Sequence, residues 1–172
     1  MSKAYQNMRR FWLDAKNMES KQGLLEIGAD KIVAAAVEMA VEDNGGIKHV
    51  FIATNSLGDS SFYFENNSPS GLGGMIGGHG NEPLQQAAAH MLAYAGKLTK
   101  QMEYVTAEKE VPGPETAGQV CVAAVSKTGV FYKEFAEEEL RQPNHPFYPV
   151  FAYSQQMVGL FKTQPQNPPA RA

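Results

Sequence analysis

The chain has 172 residues, of which 43% are hydrophobic and 19% charged, with a net charge of −3 and a pI near 5.8. That length suits one domain able to bury a core of its own without disulfides. Mild acidity argues against non-specific nucleic-acid binding, which needs a dense basic surface, and a single cysteine excludes an internal disulfide or a multi-cysteine metal site.

Residues 4–18 place Tyr5, Met8, Phe11, Trp12 and Ala15 at helical spacing. Arg9, Arg10, Asp14 and Lys16 interrupt this segment too often for a signal peptide, and no run approaches the roughly 18 apolar residues of a membrane span. The expectation is a cytoplasmic protein without a membrane partner. An N-terminal amphipathic helix over 1–22 either docks on its own domain or carries Trp12 onto a neighbouring subunit.

Residues 29–162 read as a single α+β domain. Ile32, Val33, Ala36, Val37, Ala40 and Val41 line one side of a predicted helix over 29–42, with Asn44, Gly45 and Gly46 as its stop. IKHVFIATN (47–55) reads as a strand buried on both sides, and SFYFEN (61–66) as its hairpin partner. Residues 68–80, which include the run SGLGGMIGGHG, are a predicted long loop.

The longest pattern follows, with Leu84, Ala87, Ala88, Met91, Leu92, Ala95, Leu98, Met102 and Val105 on one stripe. It predicts a helix over 83–106, with Asn81 as N-cap, Glu82 at the positive end of the dipole and Pro83 in the first turn. VPGPETAG is a connection, and QVCVAAVSKTGVFYKEFAEEE a second hairpin that turns at Lys127, Thr128 and Gly129. A short helix over 150–161 ends the domain, and residues 163–172 form a proline-rich tail predicted to be disordered.

Two hairpins in one domain most economically share a sheet. The predicted fold is therefore α+β, an antiparallel sheet of two β-hairpins with a long central helix and flanking helices. This element order resembles that of profilin-like folds, including roadblock-type modules. The resemblance is one of layout, and layout does not carry activity.

Backbone N–H groups leading into a helix can cradle an anion, which makes the glycine run the first candidate site. Neither phosphate motif fits it, because the third glycine of GxGxxG falls on Ile76 or Pro83 and Gly78 is followed by His79 instead of lysine. His79, three positions before Glu82, is the best single group for proton transfer. His49, His90 and His145 lack metal-ligand spacing, so no metal or cofactor is expected.

Cys121, inside VCVAAV, has no neighbouring cation to activate it, and GxSxG is absent. Glu134 and Glu137 to Glu139 read as a solvated face. No catalytic residue is assigned.

Two function classes follow. The first is a non-catalytic module for self-association or for a protein partner, with Arg9, Phe11, Trp12, Phe147, Tyr148 and Phe151 as the interface. The alternative is a small-ligand sensor or enzyme, its site formed by Gly77, Gly78, His79, Asn81 and Glu82 at the head of the central helix.

Overall fold

A computed structural model describes residues 1–14, 16–17, 31–106 and 109–163. Helix α1 (Lys3–Leu13) comes first, followed by strands β1 (Ala34–Asp43), β2 (Gly46–Asn55), β3 (Ser60–Glu65) and β4 (Leu72–Gly77). Helix α2 (Glu82–Leu98) separates these from β5 (Glu103–Thr106), β6 (Gln119–Val125) and β7 (Gly129–Ala136). Helices α3 (Glu137–Leu140) and α4 (Tyr148–Thr163) complete the described chain.

The strands form one antiparallel sheet in the order β4-β3-β2-β1-β6-β7-β5. The α+β class and both predicted hairpins, β2–β3 and β6–β7, are present. Side chains alternate between sheet faces, so Ala35, Val37 and Met39 of β1 turn toward α2 and α4, while Ala34 and Ala36 turn toward α1. The first core joins Leu84, Ala87, Ala88, Met91 and Ala95 to Phe151, Met157 and Phe161. The second joins Tyr5, Trp12 and Leu13 to Phe51, Ala53 and Val111. Each large apolar side chain buried this way contributes about 1.5–3 kcal/mol.

Three predicted elements are corrected. The helix expected over 29–42 is strand β1, central in the sheet and paired with both β2 and β6. Residues 34–40 are all buried, so a nearly unbroken apolar run satisfied the helical spacing by containing every spacing. Asn44 (φ 50°) and Gly45 (φ 76°) do not stop a helix. They form the two-residue turn between Asp43 and Gly46, where positive φ matches the twist of the strands it joins.

The loop expected over 68–80 contains β4, paired with β3 from Leu72 opposite Glu65 to Gly77 opposite Ser60. Finally, the helix expected over 83–106 ends at Leu98. A 3-10 turn (Thr99–Gln101) follows, in which the Thr99 hydroxyl donates to the Gly96 carbonyl at 3.3 Å. Val105, counted in the helical stripe, instead pairs with Val130 across β5 and β7.

The acidic run also changes character. Glu137, Glu138 and Glu139 form the first turn of α3, and the Glu139 carboxylate accepts the Ala136 N–H at 3.2 Å. Residues 164–172 of the predicted tail lie outside the described residues.

Candidate functional site

The glycine-rich connection is built for turning the chain. Gly78 (φ 117°) passes against the Gly58 carbonyl so closely that a Cβ there would overlap its oxygen. Gly80 (φ 78°) makes the next bend, and Asn81 caps α2 by accepting the Leu84 N–H at 3.1 Å. Glu82 sits in the first turn of α2 and accepts from the Gln86 side chain at 3.3 Å. His79 Nε2 lies 3.1 Å from Asp59 Oδ1, with the His79 side chain 73% exposed. Thus four of the five sequence-proposed ligand residues terminate β4 or start α2, and His79 tethers the turn between β2 and β3.

The expected interface residues are divided by the fold. Arg9, Trp12, Phe147 and Phe151 are buried within this chain, Tyr148 is half-buried, and Phe11 is exposed. Phe147 packs against Phe135, with ring centroids 4.7 Å apart. Four of the six are therefore occupied by the protein's own core.

Beneath α1 lies a buried polar network that the sequence did not announce. Arg9 Nε donates to Glu38 Oε2 at 2.7 Å, and its terminal nitrogens donate to the carbonyls of Val111 (2.9 Å) and Pro112 (2.7 Å). The Tyr5 hydroxyl donates to Glu38 Oε1 at 3.0 Å. Burial, and then the Glu38 charge, push the Tyr5 hydroxyl far above its ordinary range. The same two influences raise the Cys121 thiol, since Cys121 faces Glu38 across the β1–β6 pair. Both groups are thereby held protonated and unreactive.

A second cluster joins His49 Nδ1 to Glu65 Oε2 (2.7 Å) and His49 Nε2 to the Pro114 carbonyl (3.1 Å). Glu65 also accepts the Ser2 backbone N–H. Burial alone would raise the Glu65 carboxyl. The His49 bond, the Ser2 amide and the N-terminal charge outweigh it and hold the group below its ordinary range. The two clusters fasten α1 and residues 111–114 to the sheet.

Beside α2 runs an open groove of about 770 Å³, lined by Ile32, Leu57, Ala89, Leu92, Ala93 and Gly96 among others. None of Gly77, Gly78, His79, Asn81 and Glu82 lines it.

The two sheet edges differ. β5 is four residues long and carries Glu103, which accepts the Tyr132 hydroxyl at 2.9 Å. β4 is six residues long and has no charged residue and no proline, the devices that usually protect an edge strand from pairing. Ile76 on it is 76% exposed.

Its glycines are covered from the neighbouring strand. A Cβ on Gly73 would stand 2.5 Å from the Phe64 ring, and one on Gly74 would stand 2.6 Å from the Tyr63 ring. Those rings lie where side chains would otherwise be, one on each face. Aromatic rings over edge glycines are a known device for pinning a strand.

The direction of the backbone groups on β4 follows from the ladder. Asn66 donates its N–H to the Gly71 carbonyl (3.3 Å), one step beyond the Glu65–Leu72 pair. Bonded and non-bonded pairs alternate in an antiparallel ladder. Gly73, Met75 and Gly77 therefore bond to β3, and Leu72, Gly74 and Ile76 turn their N–H and C=O groups away from the sheet. The Ser70 hydroxyl meets both groups of Leu72, donating to its carbonyl at 3.1 Å and accepting from its N–H at 3.4 Å.

Fold and site together define an α+β protein with a two-sided antiparallel sheet and one unguarded edge. No protein-family model matches the chain, and no curated protein does. Among the described residues no group of three or more His, Cys, Asp or Glu side chains is placed to hold a metal ion, and no helix is long and apolar enough to cross a membrane.

Proposed function

We propose that this chain is a non-catalytic module that works by protein–protein pairing along β4. One observation carries the reading: an uncharged six-residue edge strand with outward backbone groups and Ile76 three-quarters exposed. Main-chain bonds to an added strand supply affinity in such docking, and alternate side chains supply specificity. The titratable groups off this edge favour a binding role too. Tyr5, Arg9, Glu38, His49 and Glu65 are engaged with one another or with backbone carbonyls, which leaves them occupied in holding α1 to the sheet.

The test is a photo-crosslinking residue at position 76 in the full chain, expressed in its host, with the same residue at exposed Ile47 as control. Protein-sized adducts at 76 but not at 47 are expected. No adduct at 76, or equal adducts at both positions, overturns the reading.

A small-ligand role draws its support from the groove beside α2, in place of residues 77–82. It predicts saturable binding of an apolar dye that Ala93→Trp abolishes by filling the groove, with His79→Ala having no effect. Equal binding by the Ala93→Trp variant removes this second reading.

A further inference from the structure

We propose that β4 docks on β4 of a second copy of this chain, antiparallel, with Gly74 opposite Gly74 and Leu72 opposite the second copy's Ile76. The proposal rests on the reading of β4 as a docking edge and names its occupant.

The register comes from the strand itself. The outward-facing residues are Leu72, Gly74 and Ile76, which are symmetric in position about Gly74. A two-fold axis midway between the two Gly74 residues, normal to the sheet, lets all three pair at once, each pair exchanging both N–H···O=C bonds. Shifting the register by two residues leaves one of the three without a partner inside the strand. The Ser70 hydroxyl, which now meets the Leu72 backbone groups, gives them up to the incoming strand.

Side chains agree with this register. Leu72 packs on the α1 face of the sheet and Met75 on the α2 and α4 face. Alternation therefore puts Leu72, Gly74 and Ile76 on one face, and Gly73, Met75 and Gly77 on the other. The axis keeps each face on its own side. Exposed Ile76 then lies against the second copy's Leu72, apolar against apolar. Met75 lies opposite the second copy's Gly73, where the Phe64 ring fills the missing side chain's place and offers a thioether–aromatic contact. At the axis the two Tyr63 rings meet over the paired Gly74 residues.

Charge and closure favour a second copy over an unrelated strand. A two-fold pairing sets residues of identical strands against one another, and like charges placed opposite are destabilising. β4 carries none. The opposite edge, β5, is short and carries Glu103, so among the described residues a molecule offers one long edge with no strand paired to it. Pairing it with its own kind consumes that edge on both molecules and closes the assembly at a dimer, whose remaining ends are the short β5 edges with their Glu103.

The closing experiment uses the untagged full chain in sedimentation equilibrium, with Ile76→Lys and the double variant Leu72→Cys/Ile76→Cys. Wild type is expected to dimerise. Ile76→Lys, which enters the interface twice by symmetry, is expected to weaken dimerisation at least about tenfold while the monomer's melting temperature is unchanged. Under mild oxidation the double-cysteine variant is expected to form covalent dimers, whereas Ile76→Cys alone is not, because only unlike positions face each other.

A dimer that survives Ile76→Lys, or one that Ile76→Cys alone locks as readily as the pair, overturns the register and the surface. A wild-type monomer at every concentration overturns self-pairing. If position 76 still crosslinks to a different protein, the docking edge stands and only its occupant is refuted; if it crosslinks to nothing, both fall.

Discussion

Replacing Glu38 with leucine strands the Arg9 guanidinium inside the protein. Glu38 is 2% exposed and Arg9 6%, so both groups are largely withdrawn from water in the native state. The guanidinium keeps its bonds to the Val111 and Pro112 carbonyls but loses its 2.7 Å carboxylate partner. Breaking a buried pair by removing one ion costs about 3–5 kcal/mol, because the remaining charge stays buried without compensation. At about 2–4 °C per kcal/mol for a chain of this size, the melting temperature should fall by about 6–20 °C.

Arg9→Met should behave alike, leaving the Glu38 carboxylate with the Tyr5 hydroxyl alone. Removing both ions forfeits the same hydrogen bonds but leaves no buried charge. The double variant should therefore cost about 2 kcal/mol less than the sum of the singles. Urea titrations followed by Trp12 fluorescence and far-ultraviolet circular dichroism, required to coincide, measure all three. Single-variant costs that add to the double-variant cost within about 0.5 kcal/mol would refute the account of a desolvated, coupled pair.

Other predictions follow from the same clusters. The Glu65 carboxyl is held below its unfolded value, so its contribution is complete above about pH 4.3 and is lost as pH falls through the lower folded value. Glu65→Gln should flatten the acid limb of urea stability below that point; a limb as steep as the wild type's contradicts the assignment. Gly78→Ala combines positive φ with backbone overlap at Gly58 and should cost more than about 3 kcal/mol, whereas Gly80→Ala, with open space around it, should cost about 1 kcal/mol. Equal melting temperatures for those two variants would contradict the packing. Cys121, its thiol raised by burial and then by Glu38, should react with a thiol reagent only as fast as the protein opens, and rapid labelling of native protein would show otherwise.

The elements legible in the sequence were those whose pattern had one physical solution. Residues 84–95 could bury one stripe only as a helix, and Lys127, Thr128 and Gly129 could join two apolar runs only as a hairpin. β1 is not legible as a strand because a strand covered on both faces shows no period of its own. One signal points the other way: Asn44-Gly45 between apolar runs is strong hairpin chemistry. β4 was hidden by its glycines. Its support comes from Tyr63 and Phe64 on the neighbouring strand, a non-local cause that local composition does not display.

For Trp12 and Arg9 the sequence leaves open docking on the own domain or an outward interface, because helical spacing identifies a stripe without saying what covers it; the fold buries both. His79 was found as the exposed loop histidine it is; its 3.1 Å neighbour, Asp59, comes from a different turn and was beyond any spacing rule.

The place of β1 between β2 and β6 bears on how the chain reaches this state. β1 to β4 are consecutive hairpins, each closing a short stretch, and β6–β7 is another. The seam between these groups joins Met39 to Val120, with α2 and β5 in the intervening chain. Closing so long a span carries an entropic penalty that local hairpins avoid, and it must be met before the seam's contacts reward it. The meander and the hairpin are thus the low-contact-order parts, and their union along β1–β6 is the pairing with the largest loop-closure cost. Until that seam forms, a newly made chain has two more open strand edges than the finished one: the side of β1 that β6 comes to cover, and the side of β6 that β1 comes to cover.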